Sequence, residues 1–129
     1  MSLDKIQSIP YGKEVIKIKN ISLAFGGVKA LTNVSFEVKK GEVFAIIGPN
    51  GAGKSSMLNV INGFYKPTSG QINFAGEDRK EMIPEFAAKS GIARTFQNIA
   101  LFKGMSTLDN LMTGRLLKQK QNFLMQALY

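Results

Sequence analysis

The sequence predicts an α/β fold, and three observations carry that expectation. Two alternating stretches, "EVIKIKN" (14–20) and "NVSFEVKK" (33–40), flank a glycine-containing turn. A nearly all-apolar hexamer, "EVFAII" (42–47), follows them. Directly after it come the glycine-rich "GPNGAGKSS" (48–56) and a stretch with helical periodicity. An antiparallel pair, then a buried strand, a loop and a helix, is the order of an α/β unit with a small β-subdomain in front of it.

Each element has its own warrant. In 14–20, Ile16 and Ile18 alternate with Lys17 and Lys19, which predicts a half-buried strand. "FGGV" (25–28) predicts a turn. Val34, Phe36 and Val38 share one face of the next strand, so the two strands are expected to pair antiparallel. "EVFAII" shows no alternation and is expected to be a strand covered on both faces. Met57, Val60, Ile61 and Phe64 fall at i, i+3, i+4, i+7, an amphipathic helix that Asn62-Gly63 and Pro67 end. "QINFAG" (71–76) predicts a short strand with Ile72 and Phe74 inward. "RKEMIPEFAAKS" (79–90) predicts a helix that Pro84 enters or kinks and Gly91 closes. "IARTFQ" (92–97) predicts a strand running into a loop. Ser106 with Asp109 predicts a capping box ahead of an apolar face of Leu108, Leu111 and Met112. "KQKQN" (118–122) is a polar break before the apolar end "FLMQALY".

Composition narrows the chemistry. At 129 residues and 44% apolar, the chain suits one domain with a core. Its net charge of +8 suits an anionic partner: nucleotide phosphates, nucleic acid or an acidic membrane face. A solvated basic surface explains the same charge. The basic residues are scattered and no RNA-binding aromatic pattern accompanies them, so no nucleic acid is expected. With no cysteine, disulfides and thiolate metal sites are excluded. No apolar run approaches the ~20 residues of a membrane span. "MSLDKIQSIP" lacks the apolar core of a signal peptide. The expectation is an intracellular chain, soluble or held at a membrane by a partner.

The loop is the strongest signal. Gly48, Gly53, Lys54 and Ser55 satisfy G-x-x-x-x-G-K-[ST], with Pro49, Asn50, Gly51 and Ala52 between them. The glycines reach backbone angles closed to other residues, so several N–H groups can converge on one concavity for phosphate oxygens. The helix that follows adds its positive end. Lys54 suits the β- and γ-phosphates, Ser55 suits Mg²⁺, and Ser56 suits the α-phosphate. The alternative is a glycine turn followed by a surface lysine. The apolar hexamer before the loop and the amphipathic stretch after it favour the phosphate loop. A GTPase pattern is absent: Asp78 is followed by "RKE" and Asp109 by "NLM". A nucleoside kinase usually carries its phosphate loop after its first strand, and here an antiparallel pair comes first.

With these motifs in place, the chain resembles the ATP-binding subunits of ABC transporters. "GPNGAGKSS" is similar to that family's phosphate loop, and "LAFGGVKALTNVSFEVKKGEVFAIIG" to its first antiparallel strands. "YKPTSGQINFAGED" and "GIARTFQNIALFKGMSTLDNLMTG" resemble the strand after the helix and the glutamine-loop segment. "FGGVKAL" and "ARTFQNIALF" are most like subunits of branched-chain amino acid importers. The resemblance runs over about residues 15 to 115. It implies an α/β fold: an incomplete P-loop NTPase core with an N-terminal antiparallel β-subdomain. The domains expected are an extension (1–13), the N-terminal portion of a nucleotide-binding domain (14–117) and a terminal segment (118–129).

The resemblance also implies ATP and Mg²⁺ as cofactors. Phe25 matches an aromatic that stacks on adenine, with core packing as the structural alternative. Gln97 matches the glutamine that senses Mg²⁺ and the attacking water. Val28 stands where it lines the adenine pocket or packs structurally. The implied partners are a membrane permease subunit and a second ATP-binding subunit, at the inner face of the plasma membrane. Three family features are missing. There is no L-S-G-G-Q, no histidine, and no apolar run ending in Asp-Glu, the only aspartates being Asp4, Asp78 and Asp109. The expectation is therefore an N-terminal portion that binds ATP without hydrolysing it alone, with "EVFAII" left as an uncovered apolar edge. The alternative is a non-catalytic nucleotide-binding remnant with no transport role.

Overall fold

A two-residue turn organises the first half of the chain. In the computed structural model Gly26 and Gly27 take φ of 50° and 90°. They join β1 (Glu14–Phe25) to β2 (Val28–Lys39). Two positive φ values match the twist of a tight hairpin and favour glycine at both positions. The structure describes residues 6–95 and 101–115. It falls into one unit ending at Arg94 and a second beginning at Thr95.

Both strands run to 12 residues, longer than the alternating stretches. The reason is a change of phase. Ile16 and Ile18 face the core, and so do Ile21 and Leu23, an odd number of residues further on. The register against β2 shifts between Ile18 and Ile21, and Asn20 sits at φ 52°. One inserted residue returns the apolar side chains to the buried face. The Ser35 hydroxyl holds the irregularity, accepting from the Asn20 N–H at 2.8 Å and donating to Asn20 Oδ1 at 2.9 Å.

β3 (Ser69–Phe74) lies on the other edge of β1, with Ile72 opposite Ile18 and Phe74 opposite Ile16. Ala75 and Gly76, at φ 51° and 82°, turn the chain into β4 (Glu77–Arg79). The sheet is antiparallel in the order β2-β1-β3-β4. Ile18, Ile21, Ile72 and Phe74 form its buried face, and Met57, Val60, Met82 and Ala87 complete the core.

Helix α1 (Lys54–Ile61) ends as the sequence predicts, at Asn62-Gly63. Gly63 takes φ 80°; its N–H donates to Val60 O at 3.1 Å and the Phe64 N–H to Asn59 O at 2.8 Å. This paired bonding closes a helix on a left-handed glycine. Phe64 therefore falls past the cap, 56% exposed, and off the apolar face. Helix α2 (Pro84–Lys89) begins at its proline and closes in the same way at Gly91. The helix predicted from residue 79 thus starts later, because Arg79 belongs to β4. Residues 92–95 form no strand, and residues 96–97 lie outside the described residues.

Ser90 is fully buried, and among the described residues its Oγ has no hydrogen-bond partner. An unpaired buried hydroxyl is unfavourable. Ser90→Ala is expected to raise stability by about 0.5–1 kcal/mol, as urea unfolding midpoints will read.

One expectation is corrected. Residues 42–47 form no strand and are not covered on both faces: Val43 is 98% and Ile47 92% exposed. A central strand needs a partner on each edge and cover on each face. Among the described residues no strand pairs with this segment. Phe44 alone finds an aromatic contact, stacked on Phe36 at 5.0 Å. An exposed apolar segment is a template for pairing between chains. The chain alone is expected to associate in a concentration-dependent way, and Val43→Lys to reduce this; light scattering after size exclusion checks both.

The N-terminal extension is pinned rather than loose from residue 6 onward. The Lys40 ammonium donates to the carbonyls of Ile6, Gln7 and Ile9 at 3.3, 2.6 and 2.6 Å. Ile6 and Ile9 pack against the core.

In the second unit, α3 (Thr107–Thr113) carries the predicted capping box. Ser106 Oγ accepts from the Asp109 N–H at 3.2 Å, and Asp109 Oδ2 accepts from the Ser106 N–H at 3.2 Å. Leu108, Leu111 and Met112 are exposed. Among the described residues no helix is long and apolar enough to cross a membrane.

Candidate phosphate-binding loop

The loop's shape follows from its glycines. Gly51 and Gly53 take φ of 84° and 82°. An L side chain there costs roughly 1–2 kcal/mol per residue. A turn closes over residues 49–52, the Ala52 N–H donating to Pro49 O at 3.2 Å. Gly53 then caps α1 from its left-handed conformation, and its carbonyl accepts from the Met57 N–H at 2.9 Å.

What the cap lacks matters most. No side chain caps α1, and its first turn has no acidic residue. A serine or aspartate cap satisfies one of the free N–H groups at a helix start. Glycine leaves them for another acceptor, at the positive end of the helix dipole. Ser55 is exposed and Ser56 half-buried on this first turn. No carboxylate there competes with an incoming anion, so the donor set fits a phosphate and a hydroxyl-coordinated Mg²⁺.

β2 sets where the loop can sit. A Cβ built on Gly53 meets Ala30 O at 2.5 Å and Leu31 Cδ2 at 2.8 Å. Only glycine lets the backbone lie this close to the strand. The Lys54 ammonium folds back on the loop's first residues, donating to Gly48 O at 2.7 Å and Pro49 O at 2.6 Å. Asn50 is exposed at the tip. Beside the loop, a cavity of about 280 Å³ is walled mostly by apolar side chains, Leu31, Val34, Phe44, Ile47 and Met57 among them, and reaches Gly53 and Lys54.

The structure thus brings Gly48 through Ser56 into one turn and one helix start. Phe25 lies at the hairpin tip, 45% exposed, and Val28, its register partner, is 71% exposed. Phe25 meets Tyr65 edge-on, ring centroids 5.0 Å apart at 73°. Sequence reading missed Tyr65. Thr68 brings its segment alongside β1: its N–H donates to Ser22 O at 2.8 Å and its Oγ1 accepts from the Ala24 N–H at 3.2 Å. No sequence spacing signals a contact between residues so far apart. Gln97 lies outside the described residues. Among the described residues no cluster of three or more His, Cys, Asp or Glu is placed to hold a metal.

A family model described as ABC transporter matches residues 31–128, well over half of the chain. The chain belongs to the ABC transporter family. This family member is 37% identical over 112 residues to the high-affinity branched-chain amino acid transport ATP-binding protein BraF of Pseudomonas aeruginosa. It is 44% identical over 103 residues to the probable branched-chain amino acid transport ATP-binding protein LivG of Methanocaldococcus jannaschii. The ribose import ATP-binding protein RbsA of Bacillus licheniformis matches at 42% over 109 residues. These alignments cover 87%, 80% and 84% of the chain, but only 44%, 40% and 22% of the relatives.

Solved structures agree with the fold. A nucleotide-free ATP-binding cassette from an ABC transporter matches with TM-score 0.63 and 34% identity, over 88% of this chain and 51% of that one. The ADP conformation of MJ1267, an ATP-binding cassette of an ABC transporter, matches with TM-score 0.64 and 35% identity, over 84% of this chain and 49% of that one. The α/β reading, an incomplete P-loop core with an antiparallel β-subdomain, stands.

Proposed function

We propose that this ABC transporter family chain is the phosphate-binding portion of an ATP-binding subunit. The whole subunit couples ATP binding and hydrolysis to solute import. One observation carries the reading: left-handed Gly51 and Gly53 present an uncapped helix start behind Lys54, Ser55 and Ser56. On nucleotide binding, Lys54 leaves the Gly48 and Pro49 carbonyls for the β- and γ-phosphates. Ser56 takes the α-phosphate, while backbone N–H groups of residues 51–54 bond the phosphate oxygens. Ser55 and Gln97 would hold Mg²⁺, which would neutralise phosphate charge. An amino acid is the proposed solute, on the names of BraF and LivG. The proposed partners are a membrane permease subunit and a second ATP-binding subunit, at the inner face of the plasma membrane.

Phe25 reads the base by stacking, with Tyr65 bracing its edge. Phe25→Ala is expected to weaken ATP binding by about 1–3 kcal/mol, and Phe25→Tyr to change it little. Stacking discriminates bases poorly, so GTP is expected to compete with ATP. Titration calorimetry of the 129-residue chain with MgATP and MgGTP tests both statements. A strong ATP preference that survives Phe25→Ala would show that another group reads the base.

A further inference from the structure

We propose that Tyr65 is a positioning residue that fixes the Phe25 ring relative to the end of α1, and so makes the site favour purine over pyrimidine nucleotides. The proposal deepens the base-stacking reading above and rests on it. Phe25 is the last residue of β1, and its neighbours along the chain give its ring little cover. Nothing lies within 4 Å of the Cβ positions of Gly26 and Gly27, and its register partner Val28 is 71% exposed. A ring at an open hairpin tip can take more than one rotamer. Tyr65 removes that freedom. The two centroids stand 5.0 Å apart with the planes at 73°, the arrangement in which the edge of one aromatic ring meets the face of another.

Tyr65 can do this because the chain is fastened on both sides of it. Before it, Gly63 turns left-handed at the end of α1, and Asn59 O accepts from the Phe64 and Tyr65 N–H groups at 2.8 and 3.2 Å. After it, Pro67 has a fixed φ, and Thr68 is bonded to β1 through Ser22 O and the Ala24 N–H. The Tyr65 side chain packs on the core. Residues 62–68 therefore run from the helix that carries Lys54 and Ser55 to the strand that carries Phe25. Gly53 makes the other junction, against Ala30 on β2. Phosphate loop and base platform thus stand in one frame, joined at both ends of α1. A platform already in place costs an incoming nucleotide less ordering than a mobile one. What it returns grows with the area stacked on it, and a purine offers two fused rings where a pyrimidine offers one.

The test is titration calorimetry of the full 129-residue chain with MgATP, MgCTP and magnesium tripolyphosphate, which has no base. The parent is expected to bind ATP several-fold more tightly than CTP. Tyr65→Leu is expected to raise Kd for ATP about fivefold, to narrow the gap to CTP, and to leave tripolyphosphate within about twofold of the parent. Tyr65→Phe keeps the ring and is expected to bind all three like the parent. Tyr65→Leu combined with Phe25→Ala is expected to bind ATP no more weakly than Phe25→Ala alone. Equal losses for ATP and tripolyphosphate would mean a folding role only and would overturn the proposal. Additive losses in the double variant, or an unchanged ratio of ATP to CTP affinity, would overturn it too. A parent that binds tripolyphosphate as tightly as ATP would remove the base platform as well, while leaving the phosphate loop intact. A parent that binds none of the three would remove the phosphate loop and everything resting on it.

Discussion

Lys54→Ala is expected to weaken MgATP binding by about 2–4 kcal/mol, roughly 30- to 1,000-fold. The variant loses the only side-chain cation in the loop and first helical turn, and the charge-assisted contacts it makes to the terminal phosphates. A smaller effect offsets part of this: the parent must first release its ammonium from the Gly48 and Pro49 carbonyls, which hold it at 2.7 and 2.6 Å, and the variant has no such bonds to break. Stability is expected to change little, because Pro49 is exposed and water replaces the lost bond. Lys54→Arg keeps the charge but replaces a compact ammonium by a planar fork, and is expected to recover only part of the affinity. The parent's affinity is expected to fall as salt rises, and the alanine variant's to fall less steeply. Calorimetry at two salt concentrations reads all of this. An alanine variant that binds as tightly as its parent would remove the phosphate loop from the proposal.

Gly53→Ala is expected to lower folding stability by about 2–4 kcal/mol and to weaken ATP binding as well. The backbone there stands at φ 82°, and the new methyl meets Ala30 O at 2.5 Å. Neither the strand's carbonyl nor the helix start can move away without breaking a ladder or a cap. Gly51 provides the control. It has nearly the same φ, 84°, yet nothing lies within 4 Å of its Cβ position. Gly51→Ala therefore carries only the backbone cost of about 1–2 kcal/mol. The difference between the two, measured by urea unfolding, isolates the close approach of loop to strand. Equal destabilisation would mean that β2 does not set the position of the loop.

The two variants separate what the loop does from what holds it. Lys54 acts outward, on a ligand, and its removal leaves the scaffold. Gly53 acts inward, on β2, and its replacement disturbs scaffold and ligand site together. A protein in which both variants lost affinity and only the glycine variant lost stability is the expected result.

Sequence alone determined the features whose causes are local. Gly26-Gly27 needs only its own backbone freedom to make a hairpin turn. Gly63 and Gly91 end their helices through bonds that span six residues at most. Ser106 and Asp109 cap each other across one turn. The spacing of Gly48, Gly53 and Lys54 gives the loop because cradle and helix start are neighbours in the chain. Tertiary structure decided everything that depends on residues distant in sequence. The insertion at Asn20 is set by the need to bring Ile21 and Leu23 back to the core, which alternation alone hides. "EVFAII" has the composition of a central strand, but a strand is a relation to neighbours, and the described residues provide none. Phe25 meets Tyr65, and Asn59 meets Arg94, because β1, α1 and the segment after β4 pack on one core. Local backbone preferences act over a few residues and are written in residue type. Pairing partners are chosen by which distant surfaces bury each other best, and only the folded chain makes that choice.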